Sequence, residues 1–306
     1  MRRIGVPLLA AVPVAIAAGI FFLSPSDSPD SSEEPDTTSQ SRSAVGEDGE
    51  AARGRAEEKR SADDKAIAAL PPGLAAPAKK ELAQQIVASA ENSTLDWRTA
   101  YAYIEDIGDG QGYTAGIIGF CTGTHDLLTL VERYTKDHPD NGLARYLPAL
   151  REVDGTDSHE GLDPGFTAAW KAEAKVEAFR EAQDAERDRV YFDPAVRLAK
   201  LDGLGALGQF IYYDAMVFHG PGANATSFYG LRENARKKAA LPSEGGSETA
   251  YLNAFLDVRK AAMRTRRADI DTTRVDTAQR RFLREGKLEL ETPLTWAVYG
   301  ETYQVS

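Results

Sequence analysis

Apolar residues recur at spacings of three and four through most of the chain beyond residue 80, the pattern of amphipathic helices. Leu82, Ile86, Val87 and Ala90 mark one helix that closes at Glu91. Trp97, Ala100, Tyr101 and Ile104 share one face of Asp96 to Asp106, which predicts a second. Asp126 to Lys136 and Leu143 to Val153 predict two more, parted by a turn from Pro139 to Gly142. Gly155 to Gly165 reads as a loop. Thr167 to Val190 and Ala195 to Phe218 predict long core helices. In the latter, Leu198, Leu201, Leu204, Phe210, Ile211, Met216 and Val217 give apolar character on more than one side, so deep burial is expected. Leu252 to Met263 carries another helical pattern. Only Gly110 to Phe120, rich in Gly, Thr and Ile, has a strong β signal, for a short hairpin or small sheet.

Two segments of different character precede these patterns. Arg2 and Arg3 are followed by an apolar run from Ile4 to Leu23, the layout of an export signal, with Ala15-Ile16-Ala17 as a small-x-small site. The run is close to the roughly 20 residues a spanning helix needs, although Pro7 and Pro13 weaken it as a span. Residues 1–23 are therefore a signal peptide or signal anchor. Secretion is the first expectation and membrane attachment, without cleavage, the alternative. Residues 24–64 hold 12 acidic and 5 basic residues and no aromatic, which predicts a disordered acidic linker. The folded domain is assigned to residues 65–306.

Charge changes the picture once these segments are set aside. The whole chain carries a net −11, but most of that lies in the linker, and the domain is only modestly acidic. Nucleic acid is excluded as a partner, because phosphate binding needs a basic stripe. A cationic ligand fits, and so does a plain solvated surface. No sustained heptad suggests assembly, so a monomer is expected.

Cys121 is the only cysteine and sits in the apolar run Ile117-Ile118-Gly119-Phe120, which favours an inert buried thiol. His125, His138, His159 and His219 lack zinc-ligand spacing, and no phosphate loop or dinucleotide fingerprint is present. No metal or cofactor is expected. The carboxylates of residues 91–109 are more informative. Glu91 closes its helix at the carbonyl-rich end, which disfavours an anion and suits a general acid. Asp109 lies between Gly108 and Gly110, in a tight turn where water and backbone N–H groups keep an anion available as a base. Two carboxyls in unlike environments suggest glycoside hydrolysis. Asp214 stands in an apolar helix, where an ionised carboxylate needs a cation; Arg259 and Arg274 are the candidates, in a purely architectural role or as support for Glu91.

Glu91-Asn92-Ser93, Tyr103-Ile104-Glu105-Asp106-Ile107-Gly108-Asp109-Gly110, Gly112-Tyr113-Thr114, Gly116 to Cys121, Glu186 to Pro194 and His219-Gly220-Pro221-Gly222 together resemble the secreted bacterial chitosanases of glycoside hydrolase family forty-six. The resemblance runs from about Leu82 to Tyr303. It implies a mainly α-helical, α+β architecture that is lysozyme-like and two-lobed, with a small β-sheet in one lobe and a substrate cleft between lobes. It implies internal hydrolysis of β-1,4 bonds in chitosan with inversion. Glu91 matches the general acid, Asp109 the general base and Thr114 a residue that positions the water. Asp214, Arg259 and Arg274 match a buried ionic network behind the acid. Asp126 matches a carboxylate that binds a glucosamine ammonium, while Tyr103, Tyr191 and His219 match cleft positions that could equally be wall or core.

The chain departs from the family pattern at three places. Gln111 stands where an arginine is common, and Arg266 and Ile270 stand where cleft carboxylates occur; Asp269 or Asp271 could replace one of them. These departures bear on subsite affinity more than on the reaction. Two alternatives remain open: another lysozyme-like hydrolase acting on peptidoglycan or chitin, and a non-catalytic protein that holds a cationic polysaccharide.

Overall fold

The computed structural model describes residues 44–306, with side chains from residue 55 onward. The signal segment, residues 1–23, and the first part of the acidic segment lie outside the described residues.

Helix α1, Ala44–Ala68, belongs to a unit of its own, separate from the unit that begins at Gly73. It runs through the second half of the segment expected to be disordered. Over residues 55–68, where its side chains are described, all are exposed or partly exposed and no apolar face is buried. The composition that rules out a core does not rule out a helix, because Ala, Glu, Arg and Lys have high helix propensity and surface charge is no obstacle. Among the described residues no helix is long and apolar enough to cross a membrane.

The unit from Gly73 is mainly helical and holds two buried clusters. The smaller is built from Trp97, Ile104, Phe120, Leu130, Phe166, Trp170 and Phe179, with their neighbours. The larger surrounds Phe210, Tyr212, Tyr213, Phe255, Phe282 and Trp296. Helix α2, Pro77–Glu91, lies between them: Leu82, Ile86, Val87 and Ala90 enter the larger cluster and Ala88 the smaller. Pro77 opens it, where a missing N–H costs no hydrogen bond. Near its other end Ser89 Oγ accepts from Trp296 Nε1 at 2.8 Å, which pins the last turn to the larger core. Glu91 is thus delivered by a helix fixed on both sides.

After α2 the expected second helix is realised only as a 3₁₀ turn, Trp97–Ala102. Its last residues become strand β1, Ile104–Asp106, which pairs antiparallel with β2, Tyr113–Ala115, as β2 does with β3, Phe120–Cys121. The small sheet was legible in the Gly, Thr and Ile content; its first strand was absorbed into the helical pattern because aromatic and β-branched residues fit either period at this length.

Helix α3, Asp126–Asp137, and α4, Leu147–Val153, follow. The single helix expected over 167–190 is divided into α5, Phe166–Glu173, and α6, Glu177–Arg187, and then unwinds into a π segment, Asp188–Phe192. No Gly or Pro marks the break. Arg180 Nη1 donates to Ala174 O and Lys175 O at 3.2 and 2.8 Å, supplying the hydrogen bonds the freed carbonyls need. The helix expected over 195–218 is also two, α7, Asp193–Leu201, and α8, Ala206–His219. Gly203, at φ 80°, makes the turn between them. All but one residue of α8 is buried, as its two-sided apolar pattern requires.

Helix α9, Phe228–Arg236, and α10, Glu248–Arg266, complete the larger core with a second π segment, Arg274–Gln279, and α11, Arg280–Arg284. The chain closes with an antiparallel hairpin, β4, Leu294–Val298, and β5, Glu301–Val305. This hairpin was missed in the sequence reading, although its signals are present: Leu294, Trp296 and Val298 alternate inward, and Tyr299 and Gly300 both take positive φ in the turn.

Candidate active site

Glu91, the last residue of α2, meets a cation from the distant π segment. Arg274 Nη1 lies 2.7 Å from Glu91 Oε1, and Nη2 of the same group lies 2.7 Å from Asp214 Oδ1. The helix-terminus view of Glu91 taken from sequence therefore omitted a guanidinium in direct contact. That contact is close without hydrogen-bond alignment at Oε1, which is buried. Asp214 Oδ2 receives Arg259 Nη1 at 2.6 Å and Gln279 Nε2 at 2.6 Å. Arg259 Nη1 also donates to Gln279 Oε1 at 2.9 Å.

The side chains of Asp214, Arg259 and Arg274 are at most 3% exposed, whereas Glu91 keeps 18%. Burial alone would push the Asp214 carboxyl up, but Arg274 and Arg259 outweigh it and hold the group well below the usual carboxylate range. Burial alone would likewise lower Arg274, and the Asp214 and Glu91 carboxylates outweigh it to raise it. The network is an anchored set of charges with one acidic member at the surface.

Asp109 sits on the loop joining β1 to β2. Gly108, Gly110 and Gly112 take φ of 72°, 81° and 66°, so the tight glycine turn expected around this carboxylate is present. Its side chain is exposed, and Oδ1 accepts from Gln111 N at 3.1 Å. Thr114, in the middle of β2, is buried, with Oγ1 3.2 Å from Cys121 Sγ on β3. Burial pushes the Cys121 thiol up to about 12, in keeping with an inert side chain.

Glu91, Asn92, Tyr103, Thr114 and the Gly116–Gly119 turn line one recess. The structure thus brings Glu91, Thr114 and Tyr103 together at a single concavity, and Asp109 stands outside its lining. Burial, followed by Glu105, pushes the Tyr103 hydroxyl up to about 12.

Asp126 opens α3. Its Oδ1 accepts from Cys121 N at 2.8 Å, Thr124 Oγ1 at 2.7 Å and Leu127 N at 3.0 Å, and Oδ2 faces the Tyr191 hydroxyl at 3.5 Å. Burial pushes its carboxyl up to about 6 despite these donors. Tyr191 comes from the first π segment, and its burial, followed by the Asp126 charge, holds its hydroxyl well above the usual range. His219 is fully buried at the end of α8. Burial, then the Arg259 and Arg266 charges, hold it well below the ordinary imidazole range, so the ring is neutral. Its Nδ1 donates to Thr226 O at 2.8 Å, which leaves Nε2 as an acceptor with no partner.

The three departures are also placed. The Gln111 carbonyl accepts from Gly123 N at 2.9 Å and ties the loop to the 3₁₀ turn that follows β3. Arg266 Nη1 reaches Phe218 O at 3.4 Å, and Ile270 packs against the larger core. Asp269 is exposed beside Arg267, and Asp271 Oδ1 is engaged by Thr273 N at 2.6 Å.

Gln279 is the member of the buried network that sequence reasoning missed. On a 3.6-residue period it falls away from the face of Arg274, and only the i→i+5 bonding of a π segment, seen from Arg280 N to Val275 O, sets it beside its partners. Among the described residues no group of three His, Cys, Asp or Glu is placed to hold a metal ion.

Residues 85–294 match Glycosyl hydrolase family 46. A chitosanase of Streptomyces sp. (strain N174) is 61% identical over 234 residues, covering 76% of this chain and 84% of that protein. One from Nocardioides sp. (strain N106) is 55% identical over the same shares. Of solved structures, the co-crystal structure of chitosanase OU01 with substrate is similar at a TM-score of 0.74 and 54% identity, over 76% of this chain and 99% of that one. The complex of Gynuella sunshinyii GH46 chitosanase GsCsn46A with chitotetraose is similar at a TM-score of 0.68 and 30% identity, over 74% and 97%. With a family match over most of its length and an anchored carboxyl facing a recess at the junction of two helical cores, the chain belongs to glycosyl hydrolase family 46.

Proposed function

We propose that this chain hydrolyses internal β-1,4 bonds of chitosan with inversion, using Glu91 as general acid and Asp109 as general base. The observation that carries the reading is the contrast between the two carboxyls. Glu91 is fixed by Arg274 at the edge of a recess, and Asp109 is exposed on a glycine turn. An inverting hydrolase needs this pair: an acid held against the leaving oxygen, and a base with room for a water, roughly 6.5–9.5 Å apart when substrate is bound. Glu91 protonates the glycosidic oxygen while Asp109 takes a proton from the attacking water, which Thr114 helps to position.

Asp214, Arg259 and Arg274 keep Glu91 in place. Asp126 pairs with a glucosamine ammonium, a compact cation for which an anionic partner is favoured. Tyr103 and Tyr191 form cleft walls, while His219, fully buried with its Nε2, takes a supporting core role and makes no direct contact with the sugar. No cofactor takes part in this scheme. The protein acts as a monomer outside the cell. Residues 1–23 serve as a cleaved export signal, residues 24–64 as the connecting segment and residues 65–306 as the catalytic domain.

The test is incubation of the protein with highly deacetylated chitosan, following viscosity and new reducing ends together. A rapid fall in viscosity with few ends released is the expected result, with the α anomer appearing first in the NMR spectrum of the product. Chitosan binding by a folded protein without any hydrolysis would overturn the reading. Faster cleavage of fully acetylated polymer would move the substrate to chitin.

A further inference from the structure

We propose that His159 is the positioning residue for the loop that carries Asp109; this rests on the reading of Asp109 as the base. Asp106 ends β1 and Tyr113 begins β2, and the two face each other across the ladder, so they form the neck of the loop between them. His159, from the separate 155–165 loop, touches both sides of that neck. Its Nε2 lies 3.2 Å from Asp106 Oδ2, and its ring stacks on Tyr113 with centroids 4.0 Å apart and planes 9° from parallel. Its Nδ1 lies 3.5 Å from Asp163 Oδ2, and Asp163 Oδ1 accepts from the Tyr113 hydroxyl at 2.6 Å. One imidazole therefore joins the two strand ends and the carboxylate that holds one of them.

The loop needs such a brace. Gly108, Gly110 and Gly112 all take positive φ, and glycines have the most conformational freedom to lose on ordering. Asp106 links the brace to the turn itself, because its Oδ1 accepts the Gly108 N–H at 2.8 Å while Oδ2 faces His159. His159 is rigid in turn: its carbonyl accepts from Leu162 N at 3.0 Å and from Asp163 N at 3.3 Å. His159 Nε2 is itself buried and lies against Asp106 without hydrogen-bond alignment, a close polar contact that the 34% exposure of Asp106 leaves partly screened by water. The brace sets where the Asp109 carboxylate stands while His159 stays out of reach of the reacting atoms.

His159→Phe keeps a flat ring for Tyr113 and removes both carboxylate contacts. A base displaced by a fraction of an ångström slows the chemical step, so kcat is expected to fall about 10- to 100-fold. KM stays within about twofold, because substrate binding is not what the brace supplies. His159→Gln, which keeps a polar group beside Asp106, recovers part of that loss and also serves if the Phe variant does not fold. The same substitutions are made in the Asp109→Asn protein. There His159→Phe is expected to change the residual rate less than about twofold, since no base is left to position.

A folded His159→Phe enzyme with unchanged kcat overturns the proposal. An equal loss in the presence and absence of Asp109 overturns it as well, because the histidine then acts elsewhere. Near-normal turnover by Asp109→Asn alone is a separate outcome: it removes the base assignment, and the proposal falls with it.

Discussion

Glu91 and Asp214 are joined through one guanidinium, with Arg274 Nη1 and Nη2 each 2.7 Å from a carboxylate oxygen. A planar fork can serve two anions at once, whereas an ammonium is a point charge on a flexible stem. Arg274→Lys is expected to keep the charge near Asp214 and lose the hold on Glu91. Turnover should fall by about two orders of magnitude, as for a misplaced catalytic group. Steady-state kinetics with chitosan decide it; a lysine enzyme with near-normal kcat would show that the fork is not needed.

Asp214 answers two buried arginines, and its loss leaves Arg259 without a carboxylate and Arg274 with Glu91 alone. Breaking a buried ion pair from one side typically costs about 3–5 kcal/mol. Asp214→Ala is therefore expected to lower the urea midpoint strongly as well as the activity. The pH dependence has a definite sign. The folded carboxyl lies below its ordinary value, so its contribution is present above about pH 4, the range of a free aspartate, and is lost as pH falls further. Acid unfolding of the parent protein should therefore be steeper below pH 4 than that of the Ala variant. Equal midpoints at neutral pH would rule out a stabilising network.

Glu91 keeps some exposure and lies at the end of its helix, so its replacement leaves the core untouched. Glu91→Gln preserves shape but cannot donate the acid proton. Turnover should drop by at least about 10²-fold, within the range of a lost general acid, with the melting temperature nearly unchanged. A folded Gln variant that still cleaves chitosan at close to the normal rate would remove Glu91 from the acid role.

Much of this site is legible in the sequence. The apolar period of α2 placed Glu91 at a helix end, and the buried run of α8 marked Asp214 as a charge in need of cations. Two glycines announced the turn around Asp109. What could not be read is whatever depends on non-α winding or on contacts between distant segments. Gln279 comes from a π segment that a 3.6-residue period cannot find, and Tyr191, which only the resemblance placed at the cleft, comes from another. The divided helices beyond residue 166 were missed for two reasons. One break is capped by Arg180, whose role shows only in three dimensions, and the other lies at Gly203, a visible signal outweighed by the strength of the surrounding apolar run. The link from Arg274 to Glu91 spans most of the chain, and no local pattern reports it.

Asp126 gives the last prediction, because its burial has a pH signature. The folded carboxyl titrates at about 6, above the value near 4 expected of the unfolded chain. Below pH 4 both states hold the proton and the group contributes no difference. Between about pH 4 and 6 the folded state binds more protons, so stability falls as pH rises, and above 6 the cost of the buried anion is constant. Asp126→Asn removes this term while Oδ1 can still accept the N–H groups of Cys121 and Leu127. The stability of the variant relative to the parent should therefore grow from pH 4 to 6 and then level off, as urea midpoints would show; a difference that shrinks over this range would contradict the burial. A bound glucosamine ammonium favours the same anion. Binding of a glucosamine oligomer to the Glu91→Gln protein at pH 5.5 should then release a proton from Asp126. Calorimetry in two buffers of different ionisation enthalpy would detect that proton, and its persistence in the Asp126→Asn double variant would assign it to another group.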